Sequence, residues 1–121
     1  MILGPLYALN FYNTMVGDQL RSGRKTATIR LGDKSAKYKK GMVVQILVGQ
    51  RYGPREKIFD AVIDKVEVKR LMELSPREIE HDNPEIRRPE DMASFLGQLY
   101  NRNVTEEDVV TLIRFSEISG S

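Results

Sequence analysis

The sequence predicts an α+β domain: a small, partly closed mixed β-barrel with an N-terminal helix and a helical insert before the last strand. Three observations predict it. The apolar patterns run in the order β-α-β-β-β-α-α-β with short connections, which suits segregated strands and helices rather than a repeating βαβ unit. The stretch "KIFDAVIDKVEVKRL" (57–71) is long and β-branched, and its apolar parity changes: Phe59, Ala61 and Ile63 share one face, Val66 and Val68 the other. A bulge near Asp64 explains the change and lets one strand serve two sides of a barrel. Two strongly marked helix starts fall together late in the chain, just before a final apolar stretch.

Taken in order, "YALNF" (7–11) is a short opening strand. Tyr12, Met15, Val16 and Leu20 recur at helical spacing, and Gly23 is placed to end that helix, expected over about residues 12–22. "KTATIRL" (25–31) alternates as a strand, with Ala27, Ile29 and Leu31 turned inward and Thr26, Thr28 and Arg30 turned out. "GMVVQILVG" (41–49) is nearly continuous apolar sequence, as in a strand buried on both faces. "RYGP" (51–54) is a turn. In "LSPREI" (74–79), Ser75 is the N-cap, Pro76 the first helical residue and Glu78 the partner that completes a capping box, with Leu74 and Ile79 as hydrophobic staple. Pro84 ends that helix. Pro89, Glu90 and Asp91 open another, whose apolar face is Met92, Phe95, Leu96, Leu99 and Tyr100. "DVVTLIRFSEI" (108–118) is the closing strand.

The whole chain, residues 1–121, reads as one domain, 40% apolar and long enough for a core. No apolar run approaches the roughly 18 residues needed to span a bilayer, and "MILGPLYALNF" lacks the regions of a signal peptide. With no cysteine, a disulfide scaffold, a thiolate metal site and a cysteine nucleophile are excluded. His81, the single histidine, has no histidine partner for a metal site and no sharply placed triad; a place at a helix end suits it. No metal, no cofactor, no membrane and a cytoplasmic location are the expectations; the oligomeric state stays open. Net charge is only +2, but its distribution is uneven. Residues 21–40 hold eight cations and one acid, whereas residues 71–110 hold ten acids and four cations. Such a basic block either concentrates an anionic ligand such as a phosphate backbone or is simply a solvated face.

"SGRKTATIR" (22–30), the later "YKKGMVVQILVG", the acidic helical insert and the terminal "IRFSEI" together resemble the ASCH domain family over residues 7–118. The family's pattern falls here on Gly23, Lys25, Thr26, Thr28 and Arg30. The resemblance implies a fold like that of pseudouridine synthase and archaeosine transglycosylase domains (PUA-like). It also implies RNA or a modified nucleoside as partner, held in a basic groove between strand 25–31 and the helical insert. It is closest to small bacterial ASCH proteins, some of which are acetylcytidine amidohydrolases. In those, a lysine, a threonine and a glutamate are the proposed catalytic set. Here they correspond to Lys25, Thr28 and, in the place of the glutamate, Asp82; Glu80 is a neighbouring alternative acid.

The residues allow that chemistry on a condition. Lys25 acts as base for a threonine hydroxyl when burial or cations such as Arg24 and Arg30 lower its pKa. Strict alternation puts Lys25 and Thr28 on opposite faces, so they meet only if Lys25 lies in the turn after Gly23. The bland alternatives are a solvated turn lysine, an ordinary Thr26-x-Thr28 strand pair and an Arg30 salt bridge to an acid of 73–91. For Arg30 the other reading is a bidentate bond to phosphate or a base edge. Tyr7, Phe11, Tyr12, Tyr52 and Tyr100 are candidates to stack on a base, Tyr52 the most exposed of them.

Overall fold

The computed structural model describes residues 7–118; the leader reading of residues 1–6 lies outside them. Five strands form one mixed sheet: β1 (Tyr7–Phe11), β2 (Ala27–Leu31), β3 (Val43–Gly49), β4 (Arg55–Arg70) and β5 (Val109–Glu117). Their spatial order is β1-β3-β4-β5-β2, with β1 parallel to β3 and the other pairs antiparallel. The first half of β4 pairs with β3 and the second half with β5. The β4–β5 register shifts between Ile63 and Lys65, at the bulge that the parity change of residues 59–68 predicts. The strand thereby turns the sheet into a half-barrel that stops short of closure, leaving β1 and β2 as its two edges.

The first helix, α1 (Val16–Arg21), is shorter than the expected 12–22. Asn13 explains this: its side chain accepts from the Met15 amide and its carbonyl from Val16, so residues 13–15 form a turn. Gly23 does end the helix, in the left-handed region at φ +77°, where a side chain is strained. In the insert, α2 (Pro76–Asp82) starts on Ser75, whose hydroxyl accepts from the Glu78 amide while Glu78 reaches back to Ser75, and α3 (Pro89–Tyr100) follows. One short 3₁₀ turn, Leu71–Glu73, precedes α2; nothing in the apolar pattern announces it.

The sheet has a core on each face. Ala27, Ile29, Leu31, Val110 and Leu112 pack with Ile79, Met92 and Leu96 of α2 and α3. Leu9, Val44, Ile46, Ile63, Ile113 and Phe115 pack in the concave side with Leu20 of α1. This corrects the expected outward face of strand 25–31. Thr28 is buried, Thr26 and Arg30 are half-buried, and the strand begins at Ala27 rather than at Lys25. The reason is that the concave side of an edge strand in a half-barrel is still inside the molecule.

Candidate functional site

The chain between α1 and β2 is held by backbone bonds to two helices. The Lys25 amide donates to the Gln19 carbonyl at 3.0 Å, and the Thr26 amide to His81 at 2.9 Å. Lys25 therefore lies ahead of the strand, free of its alternation. Its side chain is 4% exposed. The ammonium donates to the carbonyl of Ala27 (2.9 Å), the carbonyl of Asp82 (2.7 Å) and Oδ1 of Asp82 (2.9 Å). Asp82 is the last residue of α2, so its carbonyl has no helical partner, and a cation there is favoured by the helix dipole. The same Oδ1 accepts from the Ile29 amide at 2.9 Å. Because β2 is an edge with β5 on one side only, this carboxylate stands in for a missing strand neighbour.

Burial pulls the pKa of Lys25 below 10.5; the Asp82 carboxylate opposes that pull by charge and hydrogen bond, and Arg30 adds to it. Three accepting oxygens match the three donors of an ammonium. An ammonium that gives all three hydrogens to these oxygens has no lone pair to offer a neighbouring hydroxyl.

Across the seam between the sheet edges, no ladder bonds join β2 to β1. The Arg30 guanidinium bridges instead: one Nη donates to the Asn10 carbonyl at 3.1 Å, and Nε to the Thr28 hydroxyl at 2.9 Å. The Phe11 ring lies against both cations, its centroid 5.2 Å from the Lys25 Nζ and 4.9 Å from the Arg30 Cζ, close enough for cation–π attraction. A cavity of about 590 Å³ opens at this seam, walled by β1, β2, the end of α2 and α3. Lys25, Thr28, Arg30 and Asp82 all line it. Leu99 and Tyr100, expected on the buried face of α3, are exposed and form part of its wall. Asn10 and Asn83 add side-chain amides.

The remaining candidates fall elsewhere. Arg24 and Thr26 line a second cavity of about 480 Å³ beside His81 and Arg114, which shares only Lys25 with the first. Burial and the charges of Arg114 and Arg77 push the His81 pKa below 6.5. Tyr52 is 96% exposed at the β3–β4 turn and lines neither cavity. Glu80 also lines neither and pairs with Arg87 at 2.9 Å; two helical positions from Asp82, it faces a different way. Aspartate at 82 still reaches Lys25 despite its shorter stem. The basic block divides: Arg21 is bound to Glu56, Lys34 and Lys37 line the seam cavity, and Lys39 and Lys40 do not. Asn10 and Arg51 also line the cavity, and sequence reasoning missed them. A polar residue inside the otherwise apolar "YALNF" was the available signal for Asn10; Arg51 had none. Among the described residues, no three His, Cys, Asp or Glu side chains gather as a metal site, and no helix is long and apolar enough to cross a membrane.

No family model matches the sequence, and no curated protein matches it significantly. Solved structures do. The protein EF3133 from Enterococcus faecalis V583, of the family-model DUF984, superposes with a TM-score of 0.68 at 19% identity, covering 98% of this chain and 82% of that one. An ASCH domain from Lactobacillus crispatus JV V101 gives 0.65 at 14% identity, covering 93% and 80%. The hypothetical protein PH0355 gives 0.62 at 17% identity, covering 93% and 98%. The chain has the ASCH-type, PUA-like α+β fold. The expected architecture, a mixed half-barrel with few helices, is thereby met; at these identities the likeness is one of fold.

Proposed function

We propose that this ASCH-fold protein binds RNA or a modified nucleoside in the seam cavity. The observation that carries the reading is the cavity's make-up: five cations and a single carboxylate line it, and that carboxylate is already bound to Lys25. The cavity volume, about 590 Å³, lies within the range of small-molecule sites. The amides of Asn10 and Asn83 suit a base edge, and Tyr100 suits stacking. Fluorescence anisotropy with labelled single-stranded RNA at increasing salt tests it. The expected result is binding at low salt that weakens steeply, with the slope falling by about 0.7 for each phosphate contact removed in Lys34→Ala or Lys37→Ala. Absence of binding at low salt, or binding unchanged in the Lys34→Ala/Lys37→Ala double variant, overturns it.

One observation favours a second reading: Lys25, Thr28 and Asp82 share this cavity. In that reading the protein is an amidohydrolase that deacylates N4-acetylcytidine-like nucleosides. In that step the Thr28 oxygen attacks the acetyl carbon, and its proton passes by way of a neutral Lys25 to the departing N4 amine. Water then releases acetate from Thr28, while Arg30, already on the hydroxyl, stabilises the developing charge. Binding is preferred because the Lys25 nitrogen is already engaged by three protein oxygens and none of its contacts is to the Thr28 hydroxyl, which Arg30 holds. Incubation with N4-acetylcytidine and chromatography for free cytidine separates the two. Turnover that vanishes in Thr28→Ala supports the enzyme; no release of cytidine rejects it.

A further inference from the structure

The charges at the cavity mouth differ in kind from those at its base. Lys25 and Arg30 are bonded to protein oxygens. Lys34, Lys37 and Arg51 line the same cavity from the β2–β3 loop and the β3–β4 turn, and among the described residues none has a carboxylate partner. Exposed lysines alone are ordinarily just solvated. Arg51 is a different case. Its Cζ and that of Arg55 lie 5.5 and 5.6 Å from the centroid of one ring, Tyr12. Arg55 is tied down, donating to the Arg51 carbonyl at 2.7 Å and to Oδ1 of Asn10 at 3.1 Å. Among the described residues, the guanidinium of Arg51 has no hydrogen-bond acceptor. Two like charges are thus brought to one aromatic ring. The nearby Glu56 is taken by Arg21 at 2.7 Å. The Tyr12 ring orders the Arg51 guanidinium and leaves its planar donor fork open. Such a fork suits the oxygens of a phosphate.

We propose that the ligand of the seam cavity carries a phosphate, and that Arg51, Lys34 and Lys37 form its anion subsite. The site then takes a nucleotide, free or within an RNA strand, and discriminates against the bare nucleoside. This rests on the reading of the cavity as a nucleobase site and sharpens it. The base occupies the inner part beside Thr28 and the Asn10 and Asn83 amides. The phosphate meets the two loops at the mouth. A guanidinium set against a ring before the ligand arrives, as Arg51 is, loses less freedom on binding, which raises affinity.

Isothermal titration calorimetry at about 50 mM salt, where screening is weak, tests the proposal with four sets of probes. These are the four common nucleosides, their 5′-monophosphates, inorganic phosphate, and short single-stranded oligonucleotides of the base that binds best. At least one monophosphate is expected to bind ten-fold or more tightly than its nucleoside. That advantage should collapse in Arg51→Ala and in Lys34→Ala/Lys37→Ala, and persist in Lys39→Ala/Lys40→Ala. All these side chains are exposed, and circular dichroism confirms that each variant folds. Equal affinity for nucleoside and monophosphate overturns the anion subsite and leaves the nucleobase reading standing. Inorganic phosphate binding as tightly as every monophosphate, with no nucleoside bound, supports the subsite and overturns the nucleobase reading. No binding by any probe overturns both. An oligonucleotide binding at least ten-fold more tightly than its monophosphate identifies the RNA strand as the source of the phosphate; equal affinity identifies the free nucleotide.

Discussion

The base and the mouth of the seam cavity are built from the same residue types and put them to opposite use. At the base, Lys25 is 4% exposed and makes three hydrogen bonds to protein oxygens. At the mouth, Lys34, Lys37 and Arg51 are exposed and make no ion pair among the described residues. A buried charge left unpaired costs several kcal/mol, so the fold must satisfy it internally. An exposed charge is satisfied by water and can exchange that water for a ligand. Lys25 and Asp82 therefore read first as a clamp: they join the free edge of β2 to the C-terminal end of α2, which shapes the cavity. The unpaired cations are the groups available to an incoming anion.

The comparison breaks most decisively on the clamp. Asp82→Ala leaves a buried ammonium without its carboxylate and the Ile29 amide without an acceptor, and should cost about 3–5 kcal/mol in urea unfolding. A loss under about 1 kcal/mol, the median worth of a surface ion pair, would mean that the pair is no clamp. Asp82→Asn keeps an acceptor for Ile29 and should lose less.

The clamp also has a pH signature. The folded pKa of Lys25 lies below its unfolded value of 10.5. Between those two values the unfolded chain binds a proton that the folded chain has released, so stability rises with pH there. The unfolding free energy of the wild type relative to Lys25→Met should thus grow as pH approaches 10.5, and level off above it. A difference that falls over that window contradicts the burial of Lys25.

Smaller effects sharpen the picture. Thr28→Val removes the acceptor for Arg30 Nε and should destabilise by about 1 kcal/mol, with loss of ligand affinity if Arg30 loses its position at the seam. Ser75→Ala removes one side of the capping box and should cost about 1 kcal/mol, with no change in ligand affinity because Ser75 is remote from the cavity lining. Lys37→Ala, at the mouth, should move stability by less than about 0.5 kcal/mol while weakening RNA. Thermal melts and anisotropy on the same samples separate the two classes.

Much of the fold was legible because its signals are local. The Ser75–Glu78 capping box, the glycine that ends α1 and the parity change at Asp64 each depend on neighbours in the chain. The site was legible only in part. Lys25, Thr28 and Asp82 were singled out through a motif resemblance, and they do line one cavity. Tyr52 and Glu80 were singled out with them and lie away from it: exposure does not say where a turn points, and a shift of two residues on a helix changes the face presented. Arg51 and Arg114 took their positions only when the strands and turns assembled.

By itself, the amino-acid sequence determined which strands and α-helices form and in what order, since caps, turns and apolar periods act over a few residues. Tertiary structure decided that the barrel stays open between β1 and β2, and that one basic block divides into a buried clamp and an exposed rim. The physical reason is that a lysine's role depends on what surrounds its ammonium. Residues 25 and 82, 57 positions apart, become partners only once α2 has docked against the edge of the sheet.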